Sequence, residues 1–189
     1  MLILASESPR RQQILGNAGI PFVVRAADVA EERHPGEAPM DYVRRLAEEK
    51  AFAVPIGSDE VILGADTTVV IDDQVLEKPR GTSDAMRMLR LLSGREHEVI
   101  TGICLRSESR KIVDAASTRV RFMSLTPEEL RAYAESGEPI DKAGAYAIQG
   151  LASKFIDRIE GDYFNVVGLP MALVYRRWKE IWANDGEMI

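Results

Sequence analysis

The sequence predicts a mixed α/β fold, in which one sheet is accompanied by helices. Strand-like apolar segments alternate with helical segments along most of the 189 residues. In the middle of the chain, two long strand-like segments, at about 97–106 and 111–123, follow each other directly. This combination of alternating and adjacent strands is typical of a mixed α/β sheet. The length suits one domain or two closely joined lobes, with enough residues for a sizeable core.

The first half of the chain is predicted to alternate between short strands and helices. The apolar run at 2–5 is typical of a short buried strand. Ser8 is a favoured N-cap residue and Pro9 suits the first position of a helix, which Gly16 or Gly19 can end. Further strands are predicted at 22–25 and 61–71, a polar loop at 26–38 and a second helix at 39–54. The candidate inner residues of that helix are Tyr42, Val43, Leu46, Ala47 and Phe52.

The second half is predicted to continue this alternation. The turn Asp72-Asp73-Gln74 leads into a short strand at 75–79. A helix capped by Thr82 or Ser83 is expected to end at Gly94. Thr126-Pro127-Glu128-Glu129 is a capping box that opens a helix to about residue 136. The remaining predictions are a loop rich in Gly and Ala at 141–150, a strand at 154–159, a turn at 165–170 and a last helix to about residue 182.

The composition is that of an ordinary globular protein and argues against several functions. Hydrophobic residues make up 46% of the chain and charged residues 29%. A net charge of −6 and a pI near 5.1 argue against binding to a nucleic acid polymer, which usually requires a basic face. Cys104 is the single cysteine, so no internal disulfide can form, and a buried thiol is expected. No segment predicts a signal peptide or a membrane span, and we expect a cytoplasmic protein without membrane contact.

The junction between the first strand and the first helix predicts an anion site. Arg10 and Arg11 lie in the first helical turn, where unpaired backbone N–H groups and the positive end of the helix dipole also lie. Arginines at this end of a helix are electrostatically unfavourable unless an anion is expected there, and phosphate is the usual anion. Ser6 and Ser8 suit phosphate hydrogen bonding or capping. The alternative is that both arginines simply face water.

Asp66 is the leading candidate for a catalytic group. It interrupts the apolar run at 61–71, and a carboxylate within a strand is costly to bury unless it is paired, metal-bound or catalytic. Gly64 and Ala65 would leave room for a ligand at the backbone. The alternative is a structural aspartate that forms a salt bridge with a lysine or an arginine.

Several other charged residues are candidates for a phosphate site. Glu31 and Glu32 in the polar loop are either a solvated acidic patch or ligands for a hard divalent cation. Lys50 ends a charged run on the second helix, for which a surface position is the simpler interpretation. Lys78 precedes Pro79, which gives its backbone an extended conformation. Either lysine can reach a phosphate.

Other chemistries have little support in the sequence. His34 and His97 are the only histidines, and they do not have the spacing of metal ligands. No glycine-rich loop ends in Gly-Lys-Ser or Gly-Lys-Thr, and no Gly-x-Gly-x-x-Gly motif follows a strand.

Together, these motifs resemble those of the Maf family of nucleoside triphosphate pyrophosphatases. The matching segments run in order over nearly the whole chain. They are Ser6-Glu7-Ser8-Pro9-Arg10-Arg11, Gly64-Ala65-Asp66-Thr67, Lys78-Pro79, Asp141-Lys142-Ala143-Gly144-Ala145-Tyr146 with Ile148-Gln149-Gly150, and Val167-Gly168-Leu169-Pro170. The late loop at 141–150 is the variant that accompanies dTTP and UTP in this family. Ala147 and Ala152 stand where relatives often carry glycine.

The resemblance implies a single domain over residues 1–189, with a mixed twisted sheet flanked by helices and two lobes around a deep cleft, similar to inosine triphosphate pyrophosphatases. It implies hydrolysis of dTTP or UTP to the monophosphate and diphosphate, with Mg²⁺ or Mn²⁺ as cofactor and commonly a homodimer. The implied site residues are Asp66 as proton acceptor, Arg10, Thr67 and Gln149 for substrate choice, and Ser6, Arg11, Glu31, Lys50 and Lys78 at other active-site positions. Glu31, together with Asp66, is the expected metal ligand.

Two other functions fit the same residues. One is a broader pyrophosphatase that clears modified purine nucleotides. The other is a nucleotide-binding regulator, for instance of cell division or septum formation, that needs no turnover. The carboxylates argue against the regulator, because a simple anion binder gains nothing from negative charge beside a phosphate.

Overall fold

The computed structural model describes residues 1–183 and contains a mixed sheet with helices. The strands are β1 (Leu2–Leu4), β2 (Phe22–Val24), β3 (Val61–Ile71), β4 (Gln74–Leu76), β5 (Glu96–Arg106), β6 (Lys111–Phe122) and β7 (Ile156–Glu160). The helices are α1 (Pro9–Asn17), α2 (Pro39–Ala53), α3 (Thr82–Leu92), α4 (Pro127–Glu135), α5 (Tyr163–Val167) and α6 (Met171–Ala183). Short 3₁₀ turns lie at Glu138–Asp141, Ala143–Ala145 and Leu151–Phe155.

The strand pairing confirms the predicted fold class. Within the described residues the strand order is β2-β1-β3-β5-β6-β7, and β4 pairs with the end of β3. β1 is parallel to both β2 and β3, with Leu2 opposite Phe22 and Val61. β4 is antiparallel to β3, and β7 is antiparallel to β6. Parallel and antiparallel neighbours therefore occur in the same sheet.

The predicted elements are confirmed, with small shifts at their ends. The capping box is present, because Thr126 Oγ1 accepts a hydrogen bond from Glu129 N–H and the Glu129 carboxylate accepts one from Thr126 N–H. One local prediction is wrong, since Asn165 lies in the short helix α5 rather than in a turn. Asp162 explains the difference, because its Oδ1 accepts hydrogen bonds from the backbone N–H groups of Phe164 and Asn165.

The described chain divides into two compact units, each assembled from separate segments. The first unit comprises Met1–Asp66, Thr101–Ala116 and the chain from Gly168 onward, and the second comprises Thr67–Ile100 and Ser117–Val167. The single domain over residues 1–189 stays a prediction, and residues 184–189 lie outside the described part of the chain. Within residues 1–183, no helix is both long enough and apolar enough to cross a membrane.

The core of the first unit forms where α2 meets the sheet. Its buried side chains include Ile3, Ala5, Ala47, Ala51, Val54, Ile62 and Cys104. The expected buried thiol is confirmed, and burial raises the pKa of Cys104 to about 12. Phe52 was expected to face this core but is 50% exposed, because the helical period turns it away from its buried neighbour Ala51. The Arg106 guanidinium covers its ring, 4.3 Å from the ring centroid.

The core of the second unit contains a cluster of aromatic rings. The rings of His97, Phe122 and Tyr146 meet edge to face, with centroids 4.9–5.4 Å apart. A second edge-to-face pair joins Tyr133 and Phe155, at 5.6 Å. These rings anchor the 3₁₀ turns of the late loop against β5, β6 and α4.

Candidate active site

The first candidate residues lie where β1 leads into α1. Ala5 N–H donates to Leu63 O at 2.9 Å, which ties the end of β1 to β3. α1 begins as predicted, but the Ser8 side chain at the N-cap position makes no capping bond. Instead, Ser6 Oγ accepts hydrogen bonds from Ser8 N–H at 3.3 Å and from Arg11 Nη1 at 3.1 Å. The Ser6 hydroxyl thus connects the loop before the helix to the arginine of its first turn.

Arg11 is a buried residue rather than one that faces water. Only 9% of it is exposed, and its Nε donates to Gly168 O at 2.9 Å. Burial lowers the pKa of Arg11, and the negative charges of Asp66 and Glu31 oppose this shift. The guanidinium stays charged at neutral pH and lies within the field of both carboxylates. The interpretation that both arginines face water is therefore wrong for Arg11.

Lys50 bridges the two candidate carboxylates. Its Nζ donates to Asp66 Oδ1 at 2.7 Å and to Glu31 Oε1 at 2.6 Å. The side chains of Lys50 and Asp66 are 8% and 10% exposed, whereas Glu31 is 39% exposed. The surface interpretation of Lys50 is therefore wrong, because α2 buries this residue on the same face as Ala47 and Ala51. Asp66 forms the salt bridge with a lysine that was expected of a structural aspartate, and it is also part of the candidate site.

The surroundings of Asp66 adjust its acidity. Burial raises the pKa of the Asp66 carboxyl above its ordinary value. Lys50 opposes this shift through its charge and its hydrogen bond, Arg11 opposes it through its charge, and Glu31 adds to it. A carboxylate with a raised pKa is a stronger base than an exposed one and is therefore better suited to accept a proton.

Gly64 does not have the role that the sequence suggested. A Cβ at this position would lie 2.1 Å from Ala47 O and 2.8 Å from Ala51 N, so α2 fills the space that was expected to receive a ligand. Gly102 on β5 has the same function, because a Cβ there would lie 2.3 Å from Val43 O. The two glycines allow the backbone of α2 to lie directly on the sheet, which brings Lys50 within reach of Asp66.

The carboxylates fit a divalent cation that binds together with phosphate. Within residues 1–183, no group of three or more His, Cys, Asp or Glu side chains is placed to hold a metal ion. Asp66 and Glu31 nevertheless contact the same Lys50 Nζ, so their hard oxygen atoms converge on one point. Mg²⁺ usually binds through one or two carboxylates, phosphate oxygens and water, which agrees with this donor set.

The structure brings part of the predicted site together. In the first unit it gathers Ser6, Arg11, Glu31, Lys50 and Asp66. Arg10 is half-buried beside Arg11 in α1, and Thr67 follows Asp66 in β3. Lys78 and Gln149 are exposed residues of the second unit. The predicted roles of all these residues in binding and catalysis stay predictions.

Sequence analysis did not identify the acceptor that fixes Arg11. The Gly168 carbonyl is 157 residues away in the chain, and no local pattern connects the two positions. The available signal was the matched segment Val167-Gly168-Leu169-Pro170, which contains a glycine with a φ of 124°. Such a backbone conformation favours glycine, which explains why this residue type stands there.

The fold and this site define an α/β protein with a cationic, carboxylate-containing site at the start of a helix. A family model described as "Maf-like protein" matches residues 1–181. The chain belongs to the Maf family.

Curated relatives agree with this assignment. The chain is 52% identical over 176 residues to a protein of Koribacter versatilis (strain Ellin345) named dTTP/UTP pyrophosphatase, and the match covers 93% of this chain and 91% of the relative. It is 48% identical over 189 residues to a protein of the same name from Syntrophomonas wolfei subsp. wolfei, which covers 96% of this chain and 100% of the relative. Among solved structures, a HAM1 protein from Coxiella burnetii aligns with a TM-score of 0.42 at 15% identity, over 64% of this chain and 72% of that chain. This last likeness is too weak to support an inference.

Proposed function

We propose that the protein hydrolyses the nucleoside triphosphates dTTP and UTP to the monophosphate and diphosphate. The observation that carries the proposal is the contact of one buried lysine, Lys50, with both Asp66 and Glu31, beside the buried guanidinium of Arg11. The class of substrate comes from the names of the two relatives, which are 52% and 48% identical to this chain over almost its full length.

The proposed role of the positively charged side chains in the site is to bind the substrate phosphates. Arg11 is held by Ser6 and Gly168, so its guanidinium group is oriented before the substrate arrives. Lys50 is a compact charge that can exchange a carboxylate oxygen for a phosphate oxygen. Arg10 and Lys78 would complete the phosphate contacts. Stabilisation of the transferred group by such charges is the main catalytic factor in phosphoryl chemistry.

The proposed role of Asp66 is to accept a proton. A water molecule attacks the α-phosphorus, the bond to the bridging oxygen breaks, and diphosphate leaves. Asp66 orients this water and accepts its proton, for which its raised pKa is suitable.

A divalent cation, Mg²⁺ or Mn²⁺, is the proposed cofactor, with Asp66 and Glu31 as its protein ligands. Bound to the phosphates, it would offset the negative charge that develops during the reaction. Glu31 is the more exposed of the two carboxylates and Asp66 the more buried, so Glu31 is the readily accessible ligand.

Substrate choice is assigned to the residues that the family resemblance marks. The Gln149 amide can donate and accept hydrogen bonds at once, which matches the edges of uracil and thymine. Arg10 and Thr67 are the further candidates. A homodimer and a cytoplasmic location complete the proposal. The homodimer rests on the family resemblance, and the cytoplasmic location is the expectation from the sequence.

The test is a panel of triphosphates with detection of released diphosphate. Purified protein is given dTTP, UTP, CTP, ATP, GTP and a deaminated purine triphosphate, each with and without magnesium. We expect metal-dependent release that is fastest for dTTP and UTP. Release that is fastest for the deaminated purine would favour the broader pyrophosphatase. Binding of nucleotide without product, with any divalent cation, would favour a regulator that needs no turnover.

A further inference from the structure

Two residues outside the matched motifs hold the turn that carries Gln149. The Tyr133 hydroxyl accepts a hydrogen bond from Ala147 N–H at 3.2 Å and donates to Glu138 Oε1 at 2.7 Å. The other carboxylate oxygen, Glu138 Oε2, accepts from Leu151 N–H at 3.0 Å. The continuous chain of hydrogen bonds therefore attaches to the backbone on both sides of Gln149, two residues before it and two residues after it.

Gly150 brings the carboxylate directly against this turn. A Cβ at Gly150 would lie 2.1 Å from Glu138 Oε2 and 2.5 Å from the carboxyl carbon. Gly150 N–H donates to Ala147 O at 3.1 Å and closes the turn. The Glu138 carboxylate thus occupies the space that a side chain at position 150 would need.

Both holding residues are themselves fixed. Tyr133 is 4% exposed, and its ring meets that of Phe155 edge to face. The backbone of Glu138 is held at both ends, because its N–H donates to Ser136 Oγ at 3.3 Å and its carbonyl accepts from Lys142 Nζ at 2.7 Å. An anchored carboxylate that accepts from two donors is a strong local restraint, because hydrogen bonds to charged groups are stronger than neutral ones.

We infer that Glu138 and Tyr133 are positioning residues for the selection of the pyrimidine base. They act through the backbone at 147–151. The position of this backbone determines where the Cα atom of Gln149 lies, and therefore where its exposed side chain can reach. The inference rests on the proposed function. A site that reads a base edge must hold its polar group to within about 0.5 Å, and supporting hydrogen bonds are the usual means.

Three substitutions test the inference by different routes. Glu138→Gln removes the charge and replaces one acceptor by a donor. Tyr133→Phe removes a single oxygen atom and leaves the packed ring, so the fold is retained. Gly150→Ala pushes the flexible end of the Glu138 side chain away without demanding an unusual backbone conformation. The matched controls are Glu135→Gln, an exposed carboxylate on α4, and Tyr163→Phe, an exposed tyrosine of the same unit.

The measurements are kcat and KM for dTTP, UTP, CTP and GTP, the inhibition constant of inorganic diphosphate, and the melting temperature. In each of the three variants we expect the preference for dTTP and UTP over CTP and GTP to fall about tenfold, the effect of losing one charge-assisted hydrogen bond. Inhibition by diphosphate should stay within about twofold, because the phosphate contacts are untouched. The double variant of Glu138→Gln and Tyr133→Phe should be no less selective than the worse single variant, since both break one network.

Two results would overturn the inference. One is unchanged selectivity in all three variants of a selective wild-type protein. The other is an equal loss for every triphosphate together with a lower melting temperature, which would mean that the network is only structural. A wild-type protein that released no diphosphate from any triphosphate would overturn the proposed function itself, and the selection role with it.

Discussion

The ammonium nitrogen of Lys50 lies 2.7 Å from Oδ1 of Asp66, and both side chains are nearly buried. The same nitrogen contacts Glu31, whose ion pair is more exposed and therefore more strongly screened by water. Removing the Lys50 charge would leave Asp66 without this ion-pair partner in a poorly solvated place, whereas removing the Asp66 charge would leave Lys50 with Glu31. The site thus holds a lysine cation between two carboxylates, and substrate phosphates and a metal ion would compete for these same partners.

Replacing Asp66 by asparagine is expected to abolish most of the activity. Asp66→Asn keeps the shape and a hydrogen-bond acceptor toward Lys50 but cannot accept a proton. We expect kcat for dTTP to fall by about two orders of magnitude or more, the usual contribution of a general base. Steady-state release of diphosphate measures the effect, with Asp73→Asn at an exposed turn as the control. Near-normal turnover of Asp66→Asn would show that another group accepts the proton.

The pH dependence of activity should report the charges around Asp66. Burial raises the pKa of Asp66, so a base in this position becomes protonated, and activity falls, at a higher pH than for an exposed aspartate. Glu31→Gln removes a negative charge that raises this pKa and should move the acidic limb of kcat/KM to lower pH. Lys50→Gln removes a positive charge that lowers it and should move the limb to higher pH.

The measurement for this pair is kcat/KM for UTP from pH 4 to 9 at saturating magnesium. The two variants differ in overall activity, so only the pH at the midpoint of the acidic limb is compared. Shifts in the same direction for Glu31→Gln and Lys50→Gln would exclude Asp66 as the group that controls the limb.

Sequence reasoning located the elements better than it located the site. Helix starts and strands depend on local patterns, such as the capping box at Thr126, and these patterns were reproduced. Contacts between distant segments have no such pattern. Lys50 meets Glu31 across 19 residues and Asp66 across 16, and its charged neighbours in the chain suggested a surface position. The helical period that buries Lys50 also turns Phe52 outward, and both assignments depend on which face of α2 lies on the sheet.

Replacing Arg11 by lysine should weaken both the fold and the site. Arg11→Lys keeps the charge but cannot reproduce the directed contacts of the guanidinium with Ser6 Oγ and Gly168 O. The loss of these directed contacts at a buried site should lower the free energy of unfolding by about 1–3 kcal/mol. KM for dTTP should rise as the phosphate contact loosens. Urea unfolding and steady-state kinetics measure the two effects, with Arg90→Lys on an exposed face of α3 as the control.

His97 is expected to make the fold sensitive to acid. Its Nε2 lies 2.8 Å from Tyr146 Oη, and within residues 1–183 its buried Nδ1 has no hydrogen-bond partner. Burial lowers the pKa of His97 to about 3, from 6.5 for an unperturbed imidazole. Between these values the unfolded chain binds a proton that the folded protein does not bind. With respect to His97, the free energy of unfolding should therefore be highest above about pH 6.5. It should fall by about 1.4 kcal/mol per pH unit as the pH decreases toward 3.

Urea unfolding at pH 7, 6 and 5 measures this slope. His97→Asn keeps a polar group for Tyr146 but removes the imidazole, so we expect its stability to decrease less steeply over this range. His34→Asn, which removes an exposed imidazole, is the matched control. Equal slopes for wild type and His97→Asn would mean that other groups determine the acid sensitivity.

The glycines beneath α2 should connect stability to catalysis. Gly64→Ala would place a methyl group 2.1 Å from Ala47 O, and because backbone atoms cannot move aside as a flexible side chain can, α2 must shift. We expect a loss of about 1–3 kcal/mol in the free energy of unfolding, as for other overpacked positions. Since α2 carries Lys50, kcat should fall as well, even though Gly64 touches no predicted ligand. Gly16→Ala is the matched control, because a Cβ in that helix meets nothing within 4 Å and should stabilise α1 by about 0.5–1 kcal/mol. A Gly64→Ala protein with wild-type kcat would show that the depth of α2 does not set the contact between Lys50 and Asp66.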